Sequence, residues 1–91
     1  MEKNTVTIEF EALAENQSFA RAVAAAYAAA SDPTVEELTE IKTAVSEAVS
    51  NAIIHGYERK GTGKIIMELK TLDADKIFIR ISDFGKGITD I

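Results

Sequence analysis

The sequence predicts an α+β fold of two layers, in which a small sheet is covered by a pair of helices. Three observations carry this reading: a period-2 alternation near the N-terminus, two helical stretches in succession, and two alternating runs joined by a short turn in the second half. A chain of 91 residues buries about 60–70% of the surface its unfolded form exposes, which supports one hydrophobic core and one pair of layers.

Over residues 5–11, Val6, Ile8 and Phe10 alternate with Thr5, Thr7, Glu9 and Glu11, the pattern of a strand with one wet face. Residues 19–30 contain eight alanines and no Gly or Pro, so they read as a helix that Asn16 or Ser18 can cap. Its small side chains suit close packing on a neighbouring element; a partner surface around Arg21 is the alternative use. Ser31-Asp32-Pro33-Thr34 is a break and restart, and Thr34 followed by Glu37 has the spacing of a capping box. From there Val35, Leu38, Ile41, Val45, Ala48, Val49, Ala52 and Ile53 recur every three or four residues, predicting a second helix that stops at Gly56. Residues 57–63 form a polar loop. Ile65, Met67 and Leu69 then alternate with polar residues as a second strand, residues 72–76 make a turn, and Ile77, Ile79 and Ile81 mark a third strand.

Composition removes several classes of function. Fifteen acidic against ten basic residues give a net charge of −5, the wrong sign for holding a phosphate backbone, so no direct nucleic-acid binding is expected. The absence of cysteine excludes disulfides and thiolate sites, and a reducing cytoplasm suits the chain. The first ten residues lack the basic and apolar regions of a signal peptide, and the longest weakly polar stretch, residues 22–30, is too short to span a membrane.

Two places carry candidate chemistry. Glu47, Asn51 and His55 lie four residues apart on the second helix, forming a stripe that drifts about 40° per step. Singly, each has a plain structural reading: a solvated carboxylate, a tolerated amide, and a histidine suited to a helix C-terminus. Together, a carboxylate and an amide oxygen at this spacing can serve as a general base and a Mg²⁺ ligand. The second place is Asp83-Phe84-Gly85-Lys86-Gly87. Asp83 shares the parity of Ile77, Ile79 and Ile81, so it faces the helices, and Gly85 and Gly87 let a flat group approach the backbone; an Asx-turn is the plain alternative. Asp83-Phe84-Gly85 matches the metal-binding triplet of protein kinases, but the companion signatures are missing, and Gly61-Thr62-Gly63-Lys64 lacks the spacing of a P-loop. The single histidine has no Cys or second His with which to share a zinc ion.

Taken together, residues 40–57, ending Asn51-Ala-x-x-His55-Gly56-Tyr57, resemble the N box of the GHKL ATPase and kinase superfamily. Residues 83–88 resemble its first glycine box, D-x-G-x-G. The N-box ending, together with Asn16-Gln17-Ser18-Phe19-Ala20-Arg21 and the stretch from Asp32 to Lys42, is similar to the sporulation members of the anti-sigma-factor serine kinase branch. The resemblance implies a Bergerat ATP-binding sandwich. Family members continue into an ATP lid, a second glycine box and further strands, none of which is in these residues, so 1–91 is expected to be the N-terminal part of one such domain. It also implies a cytoplasmic protein that inhibits a sporulation sigma factor and uses ATP and Mg²⁺ to phosphorylate a serine of an anti-anti-sigma antagonist. Homodimerisation through the first strand and helix is implied as well. Carried over to this chain, Glu47 is the general base, Asn51 binds Mg²⁺, Asp83 accepts from the adenine amino group, Gly85 and Gly87 admit the adenine, and His55 belongs to the nucleotide motif. A stress-response kinase of the same branch, or a fragment that acts only as a binding module, are the alternatives.

Overall fold

The structure is a computed structural model that describes residues 3–56, 63–73, 76–83 and 88–90. The chain runs β1 (Asn4–Glu11), α1 (Glu15–Ala29), α2 (Val35–Asn51), a π-helical turn (Ala52–Gly56), β2 (Lys64–Thr71), β3 (Ile77–Asp83) and β4 (Ile88–Asp90). The strands form one antiparallel sheet in the order β1-β2-β3-β4. This is the two-layer α+β architecture expected from the sequence, with one strand more than the periodicity revealed.

β1 pairs with β2 along its whole length, from Asn4 opposite Thr71 to Glu11 opposite Lys64. Its alternation works as read: Phe10 is buried, Val6 and Ile8 are half-buried, and Thr5, Thr7, Glu9 and Glu11 face solvent. Phe10 joins Ile65, Met67 and Leu69 of β2 and Ile79 and Ile81 of β3 on the covered face of the sheet, and the helices contribute Ala20, Ala24, Val45, Ala48 and Val49 above them.

α1 starts at Glu15, four residues earlier than the alanine run suggested, and neither Asn16 nor Ser18 caps it. The N-cap position is Ala14, which has no side-chain cap. The reason is local. Ala12 is buried and its N–H donates to the Gly63 carbonyl (2.9 Å), so the chain leaves β1 in a tight turn. The donors of the first helical turn then find carbonyls three residues back, Asn16 N–H on Leu13 (2.9 Å) and Gln17 N–H on Ala14 (3.1 Å). The Asn16 side chain instead donates from Nδ2 to the Glu11 carbonyl at 2.9 Å. Ala20, Ala24 and Ala28 form a fully buried stripe that lets α1 lie close against α2. At the far end Tyr27 Oη meets Thr71 Oγ1 at 2.8 Å, tying α1 to the end of β2.

α2 opens with the capping box read from the sequence: Glu37 N–H donates to Thr34 Oγ1 (3.0 Å) and Thr34 N–H to Glu37 Oε1 (2.9 Å). The Thr34 N–H bond first, and the Thr34 side chain after it, hold the Glu37 carboxyl below its ordinary value of 4.5. A depressed carboxyl stabilises the fold above its unfolded pKa, and that contribution fades as pH falls below about 4.5 through the folded value. Thr34→Ala is expected to lower the thermal midpoint by about 4–8 °C at pH 7. The gap between variant and parent, followed by thermal unfolding, is expected to narrow at pH 3.

Burial deepens along α2. Val35, assigned above to the apolar face, is 84% exposed because it sits in the first turn, before the helix reaches the sheet, whereas Val45 and Val49 are fully buried. The helix was expected to stay α-helical as far as Gly56. It does so only to Asn51; residues Ala52–Gly56 form a π turn, entered after the Ala52 N–H has bonded to the Ala48 and Val49 carbonyls. β4 was not expected; it pairs with β3 from Arg80 opposite Asp90 to Ser82 opposite Ile88.

Candidate functional site

The core face of α2 decides what its other face presents. Val45, Ala48, Val49 and Ala52 turn inward, which leaves Glu47 and Asn51 exposed one helical turn apart. Among the described residues no hydrogen bond or ion pair holds the Glu47 carboxylate, so it is available to an incoming group. The third member of the stripe, His55, lies in the π turn, where the α-helical drift of about 40° per step no longer applies. Its side chain is outside the described residues.

Glu47 stands where two grooves meet. One, of about 420 Å³, is lined by Arg21 of α1 and by Thr39, Lys42, Thr43, Ser46 and Glu47 of α2. It brings two cations beside a carboxylate, in a chain whose net charge is −5. The other, of about 410 Å³, is lined by Gln17 of α1 and by Ser46, Glu47, Ser50 and Asn51. A third cavity of about 350 Å³, flanked by Leu13, Ile53 and Ile54, is apolar. Arg21 is thus exposed and lines the same groove as Glu47.

Asp83 ends β3 directly opposite Ile65 in the antiparallel register. Cross-strand partners share a face, and Ile65 is fully buried, so the parity argument holds and Asp83 belongs to the helix-covered face. It is half-buried, and β3 packs against the π turn that follows Asn51. Gly85 and Gly87 lie outside the described residues, and so do residues 57–62, most of the expected polar loop.

The donor chemistry fits the expected ligands. Mg²⁺ prefers oxygen ligands and keeps most of its waters, so one protein amide oxygen such as that of Asn51 is an adequate anchor. No group of three or more His, Cys, Asp or Glu residues that could cage a metal occurs among the described residues. A half-buried carboxylate at Asp83 suits an exocyclic amino donor.

Gln17, Lys42, Ser46 and Ser50 line the grooves but were not singled out in the sequence. Ser50 sits three residues after Glu47 and Ser46 four before Ser50, so helical spacing links Glu47 to Ser50 and Ser50 to Ser46. Gln17 comes from another helix, and no local spacing points to it.

A two-layer sandwich with an amide–carboxylate pair on one helix and a core-side aspartate closing a neighbouring strand is the arrangement that the resemblance to the GHKL ATPases implies. In agreement, the model for the Histidine kinase-like ATPase domain matches residues 10–91, and the chain belongs to that family. Within it, the chain is similar to anti-sigma F factors. It is 53% identical over 89 residues to that of Bacillus subtilis strain 168 and 53% identical over 89 residues to that of Bacillus licheniformis, covering 98% of this chain and 60% of each relative. The anti-sigma F factor of Clostridium botulinum strain Eklund 17B is 48% identical over 91 residues, all of this chain and 63% of the relative. The chain therefore spans about 60% of the length of the curated relatives it matches. No helix among the described residues is long and apolar enough to cross a membrane.

Proposed function

We propose that the chain forms the ATP-binding part of an anti-sigma factor that restrains a sporulation sigma factor and phosphorylates a serine on its anti-anti-sigma antagonist. The observation that carries this reading is the exposed, unengaged Glu47 one turn from Asn51, on a helix whose family is an ATPase domain. The names of the relatives support the sigma-factor partner. In this reading residues 40–57 act as the N box and 83–88 as the first glycine box.

Each residue then has one task. Asp83 accepts a hydrogen bond from the adenine amino group, and Gly85 and Gly87 admit the ring beside the backbone. His55 belongs to the nucleotide-facing motif. Asn51 anchors Mg²⁺, which when bound neutralises charge on the phosphates of ATP. Glu47 orients the serine hydroxyl and takes its proton as the oxygen bonds to the γ-phosphorus and ADP departs. Positioning and charge neutralisation supply most of phosphoryl-transfer catalysis, so this small set suffices for the chemistry. Arg21, exposed beside Glu47, contacts the protein partners. A homodimer through β1 and α1 is supported by the position of β1 at the sheet edge and by Phe19, 52% exposed on α1.

The direct test is transfer. A chain extended through the lid, mixed with γ-labelled ATP, Mg²⁺ and an anti-anti-sigma protein, is expected to place label on one serine. Sigma-factor binding without any labelled phosphoserine would overturn the kinase half of the proposal.

A further inference from the structure

We propose that Gln17 is a positioning residue for Glu47, holding it against a groove that takes an uncharged, hydroxyl-bearing loop of the protein substrate. The inference rests on the reading of Glu47 as the general base. Gln17 Nε2 donates to the Ser46 carbonyl at 2.8 Å, a part-buried bond between residues 29 apart in sequence. Ser46 immediately precedes Glu47, so this bond ties down the helical turn from which the carboxylate projects.

The tie is anchored at its other end. Asn16, next to Gln17, donates to the Glu11 carbonyl (2.9 Å), and Ala12 N–H donates to the Gly63 carbonyl (2.9 Å), so the first turn of α1 is fastened to the end of the sheet. Gln17 therefore refers the position of Glu47 to the sheet, whose third strand carries Asp83. A base must lie within hydrogen-bond reach of its proton, and small misplacements are costly in rate.

The chemistry of the groove indicates what enters it. Apart from Glu47 its lining is neutral, with the amides of Gln17 and Asn51, the Ser50 side chain, and Ser46, whose Oγ is itself buried and has no hydrogen-bond partner among the described residues. The cations Arg21 and Lys42 line the other groove, which shares Ser46 and Glu47 with this one. Neutral donors and acceptors suit a peptide backbone and a serine hydroxyl, and the volume of about 410 Å³ admits only a few residues.

The test uses a chain extended through the lid. Gln17→Met keeps length and packing but removes the donor. Serine phosphorylation is expected to fall about tenfold in kcat, with affinity for ATP within about threefold of the parent. In a Glu47→Ala background the same change is expected to cause no further loss, because a residue that acts through Glu47 has nothing left to position. An unchanged kcat overturns the proposal. So does a full tenfold loss on top of Glu47→Ala, or a loss of rate matched by a loss of ATP affinity, which would make Gln17 a residue of the fold. If Glu47→Ala alone leaves transfer intact, the base assignment fails, whatever Gln17 does.

Discussion

Glu47→Ala, introduced into a chain extended through the lid, is expected to slow serine phosphorylation by about 10²-fold or more while leaving ATP affinity nearly unchanged. The split follows from where the residue stands. Glu47 is exposed on the outer face of α2, and no described residue engages its carboxylate, so its removal opens no cavity in the core and breaks no ion pair among the described residues. General-base catalysis acts on the serine proton in the transition state, whereas adenine and Mg²⁺ are assigned to Asp83 and Asn51. Rapid-quench measurement of phosphoserine, beside calorimetric titration with ATP and Mg²⁺, separates the two quantities. Undiminished transfer would remove Glu47 from the mechanism, and a parallel collapse of ATP affinity would make it a nucleotide ligand.

Asp83→Asn is expected to erase most of the preference for ATP over GTP, by about tenfold or more in relative affinity. A hydrogen bond to a charged group is worth about 1.5–3 kcal/mol, which corresponds to roughly a 10- to 100-fold preference. The position strengthens the case: Asp83 lies on the helix-covered face opposite the fully buried Ile65 and is itself half-buried, so water competes weakly for its carboxylate. Asparagine preserves size while replacing one acceptor oxygen with a donor NH₂ that can serve the guanine carbonyl. Competition of unlabelled GTP and ATP for a fluorescent ATP analogue reads the ratio. An unchanged ratio would move adenine recognition elsewhere.

Much of this was legible in the chain because the signals are local. Val6, Ile8 and Phe10 name the covered face of β1 by alternation alone, and the parity that joins Ile79 and Ile81 also gives the face of Asp83. The capping box needs only Thr34 and Glu37, three residues apart, and both of its bonds form. Glu47 and Asn51 are placed by the same helical period that buries Val45 and Val49.

Other features left no such mark. β4 has only three residues, too few to display alternation; it forms because β3 offers unpaired backbone groups along its edge. The start of α1 was displaced because the alanine run outweighed Glu15 and Asn16 in propensity, while the actual start is set by Ala12 bonding to Gly63, a residue far along the chain. Nothing in the composition of residues 52–56 announces a π turn.

By itself, then, the sequence determined the covered face of each of the first three strands, the cap of α2, and the stripe on which Glu47 and Asn51 stand, since periodicity and capping are decided within a few residues. Only the tertiary structure decided that Gln17 meets Ser46, that Arg21 and Lys42 share a groove with Glu47, and that the helix widens after Asn51. Those arrangements depend on which surfaces are pressed together when α1 closes on α2 over the sheet, and contacts between residues 29 apart carry no signature in the local pattern of either segment.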